Sequence, residues 1–79
     1  MNNANVNIIS CELKEKIKEL NNGKDKKITL YTISKLSNIN YSTLKLWYEN
    51  KMQKIDLNTL AKLCYTLNCE IGDLFITKN

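Results

Sequence analysis

A chain of 79 residues is long enough for one small hydrophobic core, and too short for two cores or for an enzyme with a deep substrate cleft. With 43% hydrophobic and 25% charged residues it has the balance of a folded protein, which excludes wholesale disorder. The net charge of +4 comes from 12 basic residues, all lysine, against 8 acidic ones; so mild an excess admits nucleic acid as a partner, and placement has to decide.

No apolar run approaches the roughly 18 to 20 residues of a membrane span, and residues 1–10 have neither a basic start nor a long apolar stretch. A soluble, cytoplasmic protein with no membrane partner is expected. Cys11, Cys64 and Cys69 make an odd set without paired spacing, and there is no His to complete a zinc site. Buried, reduced thiols are the expectation. Without His a nucleophilic Cys lacks its usual base, and no Gly-rich phosphate loop is present. The chain is read as a non-enzyme with no metal, cofactor or catalytic residue.

Residues 1–9 are rich in Asn and lack periodicity, and Val6, Ile8 and Ile9 either add a short strand or pack on a partner. From Ser10, a capping residue, Leu13, Ile17 and Leu20 recur at helical spacing until Asn22 and Gly23, so a first helix is expected over 11–21. Lys14, Lys16 and Lys18 interleave with Glu12, Glu15 and Glu19 and read as an i,i+4-paired solvated face. After a charged connector at 24–27, Thr29 caps a second helix ending near Ser37, with Ile33 and Leu36 as its apolar pair. Asn38 tolerates the left-handed conformation a chain reversal needs, and Ile39 anchors the turn in the core.

Asn40 caps a third helix with Leu44 and Trp47 on one face and Ser42, Lys45, Leu46 and Glu49 pointing away. Asn50 ends it, and the loop 51–55 exposes Lys51 and Lys54. Asp56 caps a fourth helix whose buried stripe is Leu57, Leu60, Leu63, Cys64 and Leu67, stopped at Asn68. Glu70 opens a last turn of helix carrying Ile71, Leu74 and Phe75, and 77–79 is expected to fray. Tyr31, Tyr48 and Tyr65 read as half-buried helix-face packing.

Two short helices joined by a tight turn, the second apolar on one side only, match the helix-turn-helix arrangement. The run TLYTISKLSNINYSTLKLWYENK at 29–51 resembles the motif of the Cro and phage-repressor-like (xenobiotic-response-element type) regulators, and IDLNTLAKLCYTLNCEIGDL at 55–74 is similar to that family's fourth helix and final turn. Asn38, Asn50 and Asn68 stand where the family usually has a left-handed Gly, the mildest available substitution. The resemblance covers about residues 10–75 and implies an all-α, five-helix, lambda-repressor-like DNA-binding domain with the helix-turn-helix in helices 2 and 3. Residues 1–9 would then be an N-terminal extension, 10–76 the domain and 77–79 a tail.

The family's docking mode implies that the third helix enters the major groove of double-stranded DNA, bringing Tyr41, Ser42, Lys45 and Leu46 to base edges. Lys45 would donate to guanine, Ser42 pair with either kind of base, and Leu46 touch a thymine methyl. No Arg is present for a forked guanine contact, so readout should lean on shape and apolar contact. Phosphate contacts would come from Thr29, Asn40, Thr43, Lys51 and Lys54, with Lys27 a further candidate. Glu49 departs from the family's amide and would repel phosphate unless Lys45 or a neighbour neutralises it. The expected protein is a transcriptional regulator, a repressor acting as a homodimer through residues 1–9 or the Phe75 and Ile76 end. The rival is a protein-interaction module on the same fold, an antitoxin or an antagonist of a regulator, using Tyr41, Leu46 and Glu49.

Overall fold

A computed structural model describes residues 8–78. In chain order they form strand β1 (Ile8–Cys11), helices α1 (Leu13–Asn21), α2 (Leu30–Ser37), α3 (Tyr41–Tyr48), α4 (Leu57–Leu67) and α5 (Ile71–Leu74), and strand β2 (Phe75–Lys78). Five helices appear, but the chain is not all-α. β1 and β2 pair antiparallel, Ile9 opposite Thr77, Ser10 opposite Ile76 and Cys11 opposite Phe75. Residues with high strand preference, Ile9, Ile76 and Thr77, lie in these segments, yet each segment is too short to hold a strand without its partner. The Glu12 N–H donates to the Leu74 carbonyl, 2.6 Å, which brings the end of α5 against the start of α1 and starts the ladder.

The short strand offered as one reading of Ile8 and Ile9 forms as β1, while the expected Ser10 cap and the frayed end at 77–78 are corrected. Thr77 and Lys78 belong to a strand rather than a frayed tail. Ser10 lies in β1 and caps nothing: α1 starts at Leu13, and the Ser10 hydroxyl donates to Glu12 Oε2, 2.8 Å. Phe75 leaves helical geometry at φ −126, ψ 127 and packs edge-on against Trp47, ring centroids 5.5 Å apart. Val6 and the rest of residues 1–7 lie outside the described chain.

The other caps form where the side chains allow. Thr29 Oγ1 accepts from the Thr32 N–H at 3.2 Å, Asn40 Oδ1 from Ser42 at 3.0 Å, and Asp56 Oδ2 from Thr59 at 2.9 Å. Each satisfies one of the donors a helix start leaves unpaired. Asn38, Asn50 and Asn68 all take left-handed geometry, φ 61, 58 and 53, and Gly23 does so at φ 75 after α1. At Asn68 the N–H of Cys69 reaches the Cys64 carbonyl and that of Asn68 reaches Tyr65, the paired bonds of a Schellman stop. That geometry places the Cys64 and Cys69 side chains together at the end of α4.

The core gathers Leu13 and Ile17 of α1, Ile33 of α2, Ile39, Leu44 and Trp47, Leu60, Leu63 and Leu67 of α4, and Leu74. Two leucines expected inside are outside: Leu36 is 67% exposed and Leu57 77%. At 100° per residue each falls about 90° from the mean direction of its buried neighbours, because a spacing of three drifts off the buried stripe of a helix with 3.6 residues per turn. In α2 the inward place goes to Ser37, whose hydroxyl donates to the Ile33 carbonyl at 2.6 Å and is thereby satisfied when buried. Tyr65 lies opposite the buried stripe of α4 and is 89% exposed, and Tyr31 is exposed as well; only Tyr48 is half-buried as expected. On α1 the charge pairing is Lys16 to Glu19, i,i+3 rather than i,i+4.

Candidate nucleic-acid interface

The turn between α2 and α3 is built by a left-handed Asn38, a buried Ile39, and the Ser34 hydroxyl donating to the Ile39 carbonyl at 2.6 Å. These contacts fix the turn that joins α2 to α3. Leu44 and Trp47, 0% and 2% exposed, seat α3 on the core. With that side used for anchoring, Tyr41, Ser42, Lys45 and Leu46 lie on the solvent edge, and Thr43 is half-buried at its margin. Tyr41 and Leu46 keep 45% and 46% of their surface, so the open edge carries apolar as well as polar area.

The expected backbone contacts divide into two groups. Thr43 and Leu46 share a shallow groove with Lys51, Lys54 and Thr59, which puts the second half of α3 and the loop after it on one surface. Asp56 also lines this groove. Its carboxyl is held below the usual carboxylate range, chiefly by the Thr59 N–H and then by the Thr59 hydroxyl, so it stays ionised there. Asn40 instead lines a depression over the turn with Ser34, Lys35 and Asn38. Thr29 belongs to neither group; its hydroxyl is engaged as the α2 cap and lies 3.1 Å from Thr32 Oγ1.

The lysines are not equivalent. Lys54 and Lys45 are exposed and carry no ion pair among the described residues. Lys51 Nζ lies 3.9 Å from Glu49 Oε1, so a neighbour partly neutralises Glu49 while Lys51 gives up some of its own field. Lys27 Nζ donates to the Asn21 carbonyl at the end of α1, 2.8 Å. Lys35 was missed from the sequence: it is exposed beside Asn40 and its ammonium sits 5.2 Å from the Tyr31 ring centroid. The i,i+4 spacing of Tyr31 and Lys35 was the available signal.

Among the described residues no cluster of three or more His, Cys, Asp or Glu could hold a metal ion, and no helix is long and apolar enough to cross a membrane. Two short helices set by a buried turn, with one polar edge left open, define the class of helix-turn-helix domains. A family model described as the Cro/C1-type HTH DNA-binding domain matches residues 13–79, and the chain belongs to that family. No curated protein and no solved structure matches it. The partner that family membership implies is DNA.

Proposed function

We propose that this protein is a sequence-specific transcriptional regulator, a repressor, that binds operator DNA as a homodimer in the cytoplasm. The helix-turn-helix is α2 and α3, and α3 enters the major groove as the recognition helix. The observation that carries this reading is the division of α3 into two sides: Leu44 and Trp47 buried, and Tyr41, Ser42, Lys45 and Leu46 exposed to solvent. Had that edge been packed against another helix of the same chain, no groove could receive it.

Base edges meet Tyr41, Ser42, Lys45 and Leu46, while Thr29, Asn40, Thr43, Lys51 and Lys54 contact phosphates. Support for the second group is the shared groove that brings Thr43, Lys51 and Lys54 beside Leu46. The homodimer rests on an energetic argument, since one helix of 8 residues offers few base contacts for tight specific binding. Exposed Ile9 and Ile76 at the strand pair are the candidate surface for a second copy.

The test is a titration of the protein against a pool of random duplexes at several salt concentrations, with the mass of the complex measured by light scattering. Binding that strengthens as salt falls, enriches a two-fold symmetric sequence and contains two chains per duplex is expected. A pool that emerges without sequence enrichment, or a complex with one chain, defeats this reading.

A further inference from the structure

We infer that Ser42 reads the operator as a hydrogen-bond acceptor only, selecting a base pair that turns an exocyclic amino group, adenine N6 or cytosine N4, toward the start of α3. This rests on the reading of α3 as the recognition helix.

Chemistry orients the relevant bonds without any choice of rotor. The Ser42 backbone N–H donates to the Asn40 side chain at 3.0 Å, and only the carbonyl oxygen of an amide can accept there, so that atom is Oδ1. Ser42 Oγ lies 2.6 Å from the same Oδ1. Oδ1 has no hydrogen to offer, so the hydroxyl proton lies between them, donated by Ser42. One carbonyl oxygen thus engages both the backbone and the side chain of Ser42, each on one of its two lone pairs. A hydroxyl has a single hydrogen and two acceptor sites, and at this position the hydrogen points back into the cap. What Ser42 presents outward from its exposed place on α3 is lone pairs.

Lone pairs discriminate among base edges. In the major groove adenine and cytosine offer amino hydrogens, whereas guanine N7 and O6 and thymine O4 are acceptors and would meet the Ser42 oxygen without a hydrogen between them. A free serine serves either kind of edge by rotating its hydroxyl. Here rotation toward guanine or thymine breaks the bond to Asn40, and the capped state holds the amino-selective form. The same geometry leaves the Asn40 Nδ2, with two hydrogens, as the atom able to meet a phosphate.

The experiment uses the full chain and the best duplex recovered from the random pool. At each conserved adenine or cytosine the base is replaced in turn by its analogue lacking the exocyclic amino group, purine or 2-pyrimidinone. At one position the wild-type protein should lose about three- to tenfold in affinity, the worth of one hydrogen bond left unmade. Ser42→Ala should bind the natural and amino-less duplexes alike. Asn40→Ala, which frees the hydroxyl proton, should weaken all duplexes yet narrow the preference for adenine or cytosine over guanine or thymine at that position. Because Asn40→Ala is read as a ratio between duplexes, any loss of folded protein cancels. Amino-group removal that costs nothing anywhere, or costs Ser42→Ala as much as wild type, overturns the inference while duplex binding itself stands. A protein that selects no duplex overturns the recognition-helix reading and this inference with it.

Discussion

The side-chain carbonyl of Asn50 accepts the backbone N–H of Cys11 at 2.9 Å, tying the last residue of β1 to the residue that ends α3 across 39 positions of chain. Asn50 Nδ2 also reaches Ser10 Oγ at 3.4 Å. Asn50 therefore does two things at once: its backbone makes the left-handed turn at φ 58, and its amide occupies a hydrogen-bonding position that glycine would leave empty. Asn38 and Asn68 adopt the same backbone geometry and are exposed like Asn50, but of the three only Asn50 uses its side chain in a hydrogen bond among the described residues.

The three asparagines should therefore separate on substitution. Asn38→Gly and Asn68→Gly relieve left-handed strain and should change stability by less than about 0.5 kcal/mol in urea unfolding. Asn50→Gly strands the N–H of a buried Cys11 and should lose about 1–3 kcal/mol. Equal effects at positions 50 and 68 would mean that the Asn50 amide contributes nothing.

Acid should weaken the start of α4. The Asp56 carboxyl is held below its ordinary 3.8 by the Thr59 N–H and hydroxyl. A group depressed on folding contributes its full stabilisation above its unfolded value and loses it as pH falls through the folded value. Asp56→Asn keeps a neutral cap but not the charge. The difference in melting temperature between wild type and this variant should be largest near neutral pH and shrink below pH 3.8. A gap that stays constant down to the acid limit would sink the assignment of the charge to the cap.

Lysines placed alike on the surface should act differently on DNA. Lys54→Ala should weaken binding to all duplexes together and reduce the salt slope by about 0.9, the release of one counterion. Lys51→Ala should do less, because Glu49 already engages that ammonium. Glu49→Gln frees it and should tighten binding about two- to fivefold at low salt, within the range of a surface ion pair. Lys45→Ala should instead flatten the preference at one base pair by about 1 kcal/mol. Salt-dependent anisotropy on matched and mismatched duplexes distinguishes these; a uniform loss for Lys45→Ala would remove it from the base-reading set.

Cys11 and Cys69 should resist alkylation in the folded protein. Burial pushes the Cys11 thiol up, and burial beside Cys64 pushes Cys69 up to about 11, so little thiolate exists at neutral pH. Mass spectrometry after iodoacetamide should find Cys11 and Cys69 unmodified until urea unfolds the chain. Labelling of Cys69 at the rate of a free thiol would show that the Schellman stop at Asn68 is open.

Much of the candidate interface was readable in the residues because its parts are short-range. Thr29, Asn40 and Asp56 bond to amides two or three residues on, so their capping roles follow from residue type and spacing alone. The left-handed asparagines follow from the small steric penalty that Asn carries there. Leu44 and Trp47 were identifiable as an anchoring side, which left Tyr41, Ser42, Lys45 and Leu46 as the free one. Leu36, Leu57 and Tyr65 failed the same reading because hydrophobicity marks a side chain as eligible for burial without saying whether a neighbour exists to bury it.

Composition and local spacing were thus sufficient for the five helices, the caps of α2, α3 and α4 and the open edge of α3, since each depends on contacts within about one helical turn. The β1–β2 ladder, the Asn50 clamp on Cys11 and the grouping of Lys51 and Lys54 with Leu46 required the folded chain. Strand pairing joins residues 8–11 to 75–78, and so long-range a contact depends on how the helices between pack and where they leave the two ends, which local spacing does not encode.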